Sequence, residues 1–200
     1  MTQRWVLPVT LTGRRVRMEP LSLERHWDGL RAFALDPELW RYTITKVDDE
    51  ADLRRYVETA ARELEEGRSL PFATMDVASG RVAGCTRFGS LEPHHRRVEI
   101  GWTMVAPEFQ RTHVNTEAKY LMLRHAFETL KCVRVEFRAH ASNDKSRRAM
   151  ERIGASYEGM LRRHMLREHG DWRDTVYYSV LDSEWPAVRD KLEGMIARAE

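Results

Sequence analysis

Alternating hydrophobic and polar positions are clearest between Val98 and Val105. The alternation predicts a strand in which Val98, Ile100, Trp102 and Met104 face one side and Glu99, Gly101, Thr103 and Val105 the other. A turn marked by Pro107 and a polar loop follow this strand. Helical spacing of apolar residues then indicates a helix that begins at Asn115 or Thr116.

The rest of the chain also divides into short helices and strands. Apolar residues at helical spacing predict helices that begin at Ser22, over 50–66, over 143–153 and from Ser183 or Glu184. Period-two patterns predict strands over 15–19, 72–77, 81–91, 132–139, 156–167 and 172–181. The resulting order, β-α-α-β-β-β-α-β-α-β-β-α, indicates a mixed α/β protein whose first half is antiparallel.

We expect one domain over residues 1–200, with a core of about 13–182 and a C-terminal helix over 184–199. No repeat or flexible linker divides the 200 residues, a length that supports one sizeable core. Hydrophobic residues make up 42% and charged residues 32%, which is typical of a globular protein. The 33 basic residues alternate with 31 acidic ones, so we expect a mixed-charge surface and no nucleic-acid partner.

The cysteines and histidines do not have the spacing of metal ligands. Cys85 and Cys132 are isolated in apparent strands, so we expect buried free thiols in a reducing compartment. The eight histidines show no metal-binding motif, and we therefore expect no metal. The first 13 residues lack a signal-peptide core and no run is long enough to span a membrane. We expect a cytoplasmic protein without a membrane partner.

The loop from Gln110 to Thr116 is the strongest candidate site. Its backbone N–H groups lead into a helix N-terminus, which favours anions, and the preceding strand suits an extended ligand with a phosphate group. Glu117 in the first turn would oppose a phosphate, whereas Arg111 and Lys119 would offset that charge. The alternative is an ordinary connection with an Asn or Thr helix cap.

These segments resemble the Gcn5-related N-acetyltransferase (GNAT) superfamily. Its pyrophosphate loop reads Gln/Arg-x-x-Gly-x-Gly/Ala; Gln110 matches, while His113 and Asn115 stand in place of the glycines. The lead-in 105–108 and the stretch from Asn143 to Gly154 are also similar to the family. Residues 114–119 resemble the branch that includes RimJ/RimL-type ribosomal-protein N-terminal acetyltransferases.

The resemblance implies the GNAT fold, in which a central, mixed, mostly antiparallel twisted sheet carries helices on both faces. It also implies an acetyl-CoA-dependent N-acetyltransferase, without a metal, that transfers the acetyl group directly to a primary amine. The residues expected to bind acetyl-CoA are Met104, Val105, Gln110, Arg111, Thr112, His113, Val114, Asn115, Thr116 and Asn143.

Two residues are candidate catalysts. Glu99 lies on the strand expected to carry the cofactor, where a partly apolar cleft would raise the pKa of its carboxyl and let it accept the proton of an ammonium group. The alternative is a carboxylate that faces solvent or pairs with an arginine, since Arg96 and Arg97 are adjacent. Family members often have a tyrosine acid where this chain has Met150, so Ser146, on the same helix face as Asn143, becomes the substitute.

The connection between the first two helices would form one wall of the acceptor site. Trp40, Tyr42 and Thr43 in this connection either contact the substrate or fill the core beneath the loop. The acceptor is expected to be a small-molecule or peptide amine, and a homodimer is possible. A protein N-terminal acetyltransferase and a non-catalytic acyl-CoA-binding module remain as alternatives.

Overall fold

The computed structural model describes residues 5–198, and its elements follow the predicted order with one addition. A two-residue strand, β1 (Leu11–Thr12), precedes the first predicted strand. The other strands are β2 (Val16–Pro20), β3 (Leu70–Asp76), β4 (Val82–Glu92), β5 (Arg97–Val105), β6 (Arg134–His140), β7 (Ser156–Leu166) and β8 (Trp172–Leu181). The helices are α1 (Leu23–Ala34), α2 (Glu50–Glu65), α3 (His113–Arg124), α4 (Asp144–Ile153) and α5 (Trp185–Arg198). Residue 199, the predicted last residue of the C-terminal helix, lies outside the described residues.

The strands form a single mixed sheet in the order β1-β2-β3-β4-β5-β6-β8-β7. All neighbouring strands are antiparallel except β5 and β6, which are parallel and are connected through α3. The mixed, mostly antiparallel sheet predicted from the sequence is therefore confirmed.

The helices cover both faces of the sheet and divide the core into two clusters. On one face, α3, α4 and α5 pack over a large cluster that includes Phe72, Phe88 and Phe137. On the other face, α1 and α2 pack over a smaller cluster that includes Leu53 and Cys85. Both cysteines are buried free thiols, as expected.

A β-bulge in β5 corrects the predicted alternation of that strand. Val98 and Ile100 face the α3 side as expected, but Trp102 has a left-handed backbone (φ +51°) and lies on the other face with Met104. The pairing with β4 shifts at this point, from Arg87 opposite Gly101 to Cys85 opposite Met104. One extra residue in a strand reverses the facing of every later side chain, which period-two spacing alone does not reveal.

Helix α3 begins two to three residues earlier than its apolar spacing indicated. It starts at His113, and the Thr112 hydroxyl caps it by accepting a hydrogen bond from the Val114 N–H. The predicted start at Asn115 or Thr116 is therefore wrong. A threonine cap satisfies a terminal N–H that has no partner within the helix, so the helix extends back to it.

The side chain of Glu117 turns away from the anion-binding end of α3. Its carboxylate is buried and accepts hydrogen bonds from the backbone N–H groups of Arg14 and Arg15, which lie between β1 and β2. It also lies against Gly13, where a Cβ would meet Glu117 Oε1 at 2.3 Å. Because the Glu117 carboxylate points away from the start of α3, it does not oppose a phosphate there as the sequence suggested.

We expect the substitution Glu117→Ala to lower the free energy of unfolding by about 3 kcal/mol, because two backbone donors lose a charged acceptor. Glu117→Gln retains one acceptor oxygen and is expected to lose about half as much. Urea denaturation at pH 7 measures both, with Glu58→Ala at an exposed position of α2 as the control. Equal losses for Glu117→Ala and Glu58→Ala would contradict this role.

Candidate active site

Strands β5 and β6 separate from each other in the middle of the sheet. They pair over only three positions, Arg97 to Glu99 of β5 with Arg134 to Glu136 of β6. Beyond Glu99, β5 continues to Val105 without a strand on that side, while β6 continues in its pairing with β8. The separation leaves a wedge that exposes the backbone of β5, because an unpaired strand edge presents free N–H and C=O groups.

The N-terminus of α3 lies at the wide end of this wedge. A short turn, Pro107–Phe109, leads from β5 to Gln110 and then to Arg111, which has a left-handed backbone (φ +63°). Thr112 stabilises the turn by donating its hydroxyl hydrogen to the Phe109 carbonyl at 2.7 Å. The first N–H groups of α3 have no acceptor within the helix, so this end of the helix favours an anion.

Side-chain contacts hold the loop in place. Gln110 Nε2 donates to the Val105 carbonyl at 2.9 Å, and Gln110 Oε1 accepts from the Lys145 ammonium of α4. His113 Nε2 lies 3.0 Å from Asp76 Oδ1 at the end of β3. At one of the glycine positions of the family motif, this chain therefore has a histidine that connects the loop to the β3–β4 hairpin.

A surface cleft of about 360 Å³ lies beside the start of α3. Its lining includes Arg111, Thr112 and Thr116, together with Arg152 of α4 and Met195 of α5. Arg152 Nη1 donates to the Thr116 hydroxyl at 3.1 Å. Two arginines beside a helix N-terminus make this cleft suitable for a phosphate group.

The narrow end of the wedge contains a buried ion pair. Glu99, with only 5% of its surface exposed, pairs with the guanidinium of Arg138 on β6. The Ser90 hydroxyl donates to Glu99 Oε2 at 2.9 Å and accepts from Arg138 Nη2 at 2.6 Å. Arg138 and Ser90 both contact the same carboxylate oxygen, Oε2, so Glu99 has the arginine partner that the structural alternative required.

A family model described as the acetyltransferase (GNAT) domain matches residues 15–156. The chain belongs to the GNAT acetyltransferase family. The resemblance noted from the sequence is thereby confirmed, and the protein is an acetyltransferase.

Related proteins agree with this assignment. YdaF of Bacillus subtilis (strain 168), which has the provisional name ribosomal N-acetyltransferase, is 38% identical over 106 residues, or 53% of this chain and 57% of YdaF. The aligned part therefore spans little more than half of that relative. A GCN5-related N-acetyltransferase from Brucella melitensis superposes with a TM-score of 0.88 at 33% identity, covering 96% of this chain and 86% of that chain.

Mycobacterium smegmatis RimJ, solved in complex with CoA-disulfide, shares the fold. Its TM-score is 0.79 at 23% identity, with 94% of this chain and 95% of that chain covered. Within residues 5–198, no helix combines the length and apolar character of a membrane span. The same residues contain no cluster of metal-ligating side chains.

One of the three predicted residues of the α1–α2 connection lies beside β6. Tyr42 is half-buried, with its ring 5.4 Å from the ring of His140. The structure places Trp40 in the core, where it is 2% exposed and donates to the Ala34 carbonyl. The Thr43 hydroxyl is bonded to backbone carbonyls of its own loop. Tertiary packing decided which aromatic residue of the loop enters the core.

The predicted residues of α4 have structural roles of their own. Asn143 caps the helix, because its side-chain oxygen accepts from the Ser146 N–H at 3.0 Å. Ser146 is half-buried in the first turn. Met150, at the position where GNAT proteins often have a tyrosine, is buried in the larger core cluster and offers no proton. Its burial also means that a tyrosine ring would overpack this core.

Sequence reasoning missed several polar side chains on the α1–α2 side of β6 and β8. Arg138, His140, Arg173 and Tyr177 alternate with core residues along the two strands, and register brings Arg138 opposite Tyr177. The period-two pattern of β6 signals that Arg138 faces away from the α3 side. The pattern does not indicate that β8 pairs with β6. That pairing brings Arg173 to the same surface as Arg138.

Lys119, which was expected to offset the charge of Glu117 beside a phosphate, is buried instead. It extends from α3 to the bulge of β5, where its ammonium donates to the Thr103 hydroxyl at 2.8 Å. The Thr103 and Thr86 hydroxyls are 2.8 Å apart, and Thr86 donates to the Gly101 carbonyl. Burial without a carboxylate partner lowers the pKa of Lys119 to about 7.

The lowered pKa predicts how Lys119 affects stability as pH changes. Between about pH 7 and the ordinary lysine value, the unfolded chain binds a proton that the folded chain does not, so wild-type stability rises with pH across this window. Below about pH 7 the folded protein has to bury the charged amine. We therefore expect Lys119→Met, which keeps the volume similar, to stabilise the fold by more than about 1 kcal/mol at pH 6 and by less at pH 9.

Urea denaturation at the two pH values measures this difference. Lys191→Met, at an exposed position of α5, removes a lysine without removing a buried charge and serves as the control. A stability gain for Lys119→Met that is equal at pH 6 and pH 9 would show that the amine is not desolvated.

Proposed function

We propose that this protein is an acetyl-CoA-dependent N-acetyltransferase that transfers an acetyl group directly to a primary amine of a small molecule or peptide. The observation that carries the proposal is the wedge, where β5 beyond Glu99 has an unpaired backbone edge that leads to the N-terminus of α3. An extended chain with amide groups pairs with a strand edge, and a pyrophosphate suits a helix N-terminus. The pantetheine arm and pyrophosphate of CoA have this chemistry in this order.

The proposed contacts follow from the geometry of the loop. Met104 and Val105 offer backbone groups to the pantetheine arm, while residues 111–116 offer N–H groups to the phosphates. Arg111 and Arg152 add positive charge at the neighbouring cleft. The side chains of His113 and Gln110 are engaged with Asp76 and Val105, so their proposed role is to hold the loop open.

In the proposed reaction, the amine nitrogen forms a bond to the thioester carbon and the carbon–sulfur bond breaks. The sulfur leaves with the bonding electron pair and takes up a proton from Ser146 or from water. The attacking nitrogen, which is positively charged after the bond forms, returns its extra proton to that same donor. The ammonium proton passes to the Glu99 carboxylate, directly or through water, and Arg138 and Ser90 keep that carboxylate oriented. A backbone N–H of β5 stabilises the developing oxyanion, and holding the two substrates together supplies much of the acceleration.

A second candidate is the acetylation of a protein N-terminus. The provisional name of YdaF and the RimJ structure favour this narrower activity. A screen that measures release of free CoA with small amines and short peptides distinguishes the two, because the second candidate requires peptides to be used far more efficiently.

Binding of acetyl-CoA is expected to depend on Asn143 beyond its role as a helix cap. Asn143→Ser retains a capping oxygen but removes the amide donor, so we expect unchanged stability and a Michaelis constant for acetyl-CoA that is raised about fivefold to tenfold. Steady-state kinetics with varied acetyl-CoA and thermal unfolding measure the two effects, and calorimetry measures binding of acetyl-CoA to the wild-type protein. Ser142→Ala, at the exposed neighbouring position outside the cap hydrogen bond, is the control. Failure of the wild-type protein to bind acetyl-CoA at millimolar concentration would overturn the proposed function.

If Glu99 accepts the proton, Glu99→Gln should lower turnover by about a hundredfold and leave the affinity for acetyl-CoA near that of the wild type. Glu136→Gln is a matched control, because Glu136 is the register partner of Glu99 on β6 and is also buried and paired with arginines. Steady-state kinetics at saturating acetyl-CoA, with circular dichroism to check folding, compare the two variants. Similar turnover for both would assign Glu99 a structural role only.

A further inference from the structure

The surface of β6 and β8 that faces the α1–α2 connection contains a cluster of basic groups. Register pairs Arg138 with Tyr177 and His140 with Thr175, and Arg173 lies two residues beyond Thr175 on the same face of β8. We call this surface the basic pocket and define it by Arg138, His140, His164, Arg173 and Tyr177.

Two loops enclose the basic pocket. The Tyr42 ring approaches His140, and the His164 ring of β7 lies 5.8 Å from the ring of Tyr177. Arg167, in the β7–β8 hairpin, donates to the Arg41 carbonyl at 2.6 Å and so ties the hairpin to the α1–α2 connection. The pocket is therefore a walled surface beside the narrow end of the wedge, where Arg138 meets Glu99.

Arg173 is buried in this pocket without a counter-ion. Only 7% of its surface is exposed, and its Nε donates to the Thr175 hydroxyl at 3.1 Å. No carboxylate within residues 5–198 lies at ion-pair distance from its guanidinium. The adjacent Asp174 has its carboxylate bonded to the Arg163 N–H on the other side of the strand.

The carboxylates around the pocket are already engaged. Glu99 pairs with Arg138, and Asp171 pairs with Arg167. Glu168 accepts from the backbone N–H of Lys46. Of the three arginines in and beside the pocket, Arg138 and Arg167 are paired with carboxylates, so the positive charge of Arg173 is not compensated.

The electrostatic effect of this excess charge extends to neighbouring groups. Burial, followed by repulsion from Arg138 and Arg167, lowers the pKa of Arg173 to about 10. Burial and nearby arginines also lower the pKa values of His140 and His164. Independently, Arg138 Nε and His164 Nδ1 are buried without a hydrogen-bond partner among the described residues. A buried charge and unpaired polar atoms are unfavourable unless a ligand compensates them.

We propose that the basic pocket binds a carboxylate carried by the acceptor, so that the enzyme selects amines that bear an anionic group over neutral amines and polyamines. This inference rests on the proposed function and adds the substrate class. A guanidinium that is fixed and desolvated forms strong paired hydrogen bonds with a carboxylate. The same positive charge repels a second ammonium group on a polyamine.

The test uses two sets of acceptors that differ only in charge. The small set is glycine, glycinamide and ethylenediamine. The peptide set consists of amidated peptides that begin with serine and have glutamate, glutamine or lysine next. We expect kcat/KM to be at least about tenfold higher for the carboxylate member than for its amide partner, and lowest for the cationic member. The set that shows this order identifies the source of the carboxylate as a free amino acid or an acidic peptide.

Variants of Arg173 test whether the pocket causes the preference. Arg173→Gln should lower the ratio of kcat/KM for the carboxylate acceptor to kcat/KM for its amide partner about tenfold. Arg173→Lys keeps the charge and should retain most of the preference. Arg189→Gln, at an exposed position of α5, removes the same charge elsewhere and serves as the control.

Equal use of carboxylate and amide acceptors in both sets would overturn the inference, as would a preference that survives Arg173→Gln in a folded protein. If Arg173→Gln does not fold, the wild-type acceptor order and Arg173→Lys decide the question. If no amine is acetylated, the proposed function fails, and calorimetry tests the pocket separately. The glutamate peptide must then bind at least about tenfold more tightly than the glutamine peptide; equal affinities would overturn the inference.

Discussion

The separation of β5 from β6 is the constraint on which the rest of the structure depends. Two parallel strands that diverge after three pairs leave unpaired backbone groups near the centre of a sheet. Such groups are tolerated only where water, side chains or a ligand can reach them. The Val105 carbonyl is satisfied by Gln110, and the Glu99–Arg138–Ser90 group fills the point of divergence.

The bulge at Trp102 complements this separation. It turns Trp102 to the α1–α2 side, where the guanidinium of Arg87 lies 4.9 Å from its ring centre. On the other side, the Lys119 amine of α3 donates to the Thr103 hydroxyl at the bulge. The Thr103 hydroxyl also contacts the Thr86 hydroxyl of β4. The lowered pKa of Lys119 indicates that its buried position disfavours the charged form of the amine. Unfavourable positions of this kind are typical of functional sites, where local geometry matters more than stability.

The distribution of charge distinguishes the two ends of the wedge. Its wide end combines a helix N-terminus with Arg111 and Arg152, which suits phosphate groups. Its narrow end contains a neutralised pair, Glu99 and Arg138, beside the uncompensated Arg173. The overall charge of +2 reveals neither feature, because net composition averages over surfaces that have different local fields.

Local sequence determined the elements and most of their order. Apolar spacing located α2 and α4 to within one residue, and Gly154 ends α4 in a left-handed conformation that favours glycine (φ +100°). The loop after β5 was also recognisable, since a proline turn and a helix cap are local features. The exact start of α3 was not, because Thr112 competes as a cap with residues that have equally good capping side chains.

Only the tertiary structure decided which side chains share the site. Residue type alone did not show whether Glu99 is a proton acceptor or a paired carboxylate. Its partner, Arg138, is 39 residues away in the sequence and reaches Glu99 only because β6 pairs with β5. Trp40 entered the core while Tyr42 remained beside His140, although both belong to one short loop. Arg173 reached the pocket through strand order, with β8 inserted between β6 and β7. Sequence periodicity specifies the face of a strand on which a residue lies, whereas burial and charge compensation depend on neighbours brought together by long-range pairing.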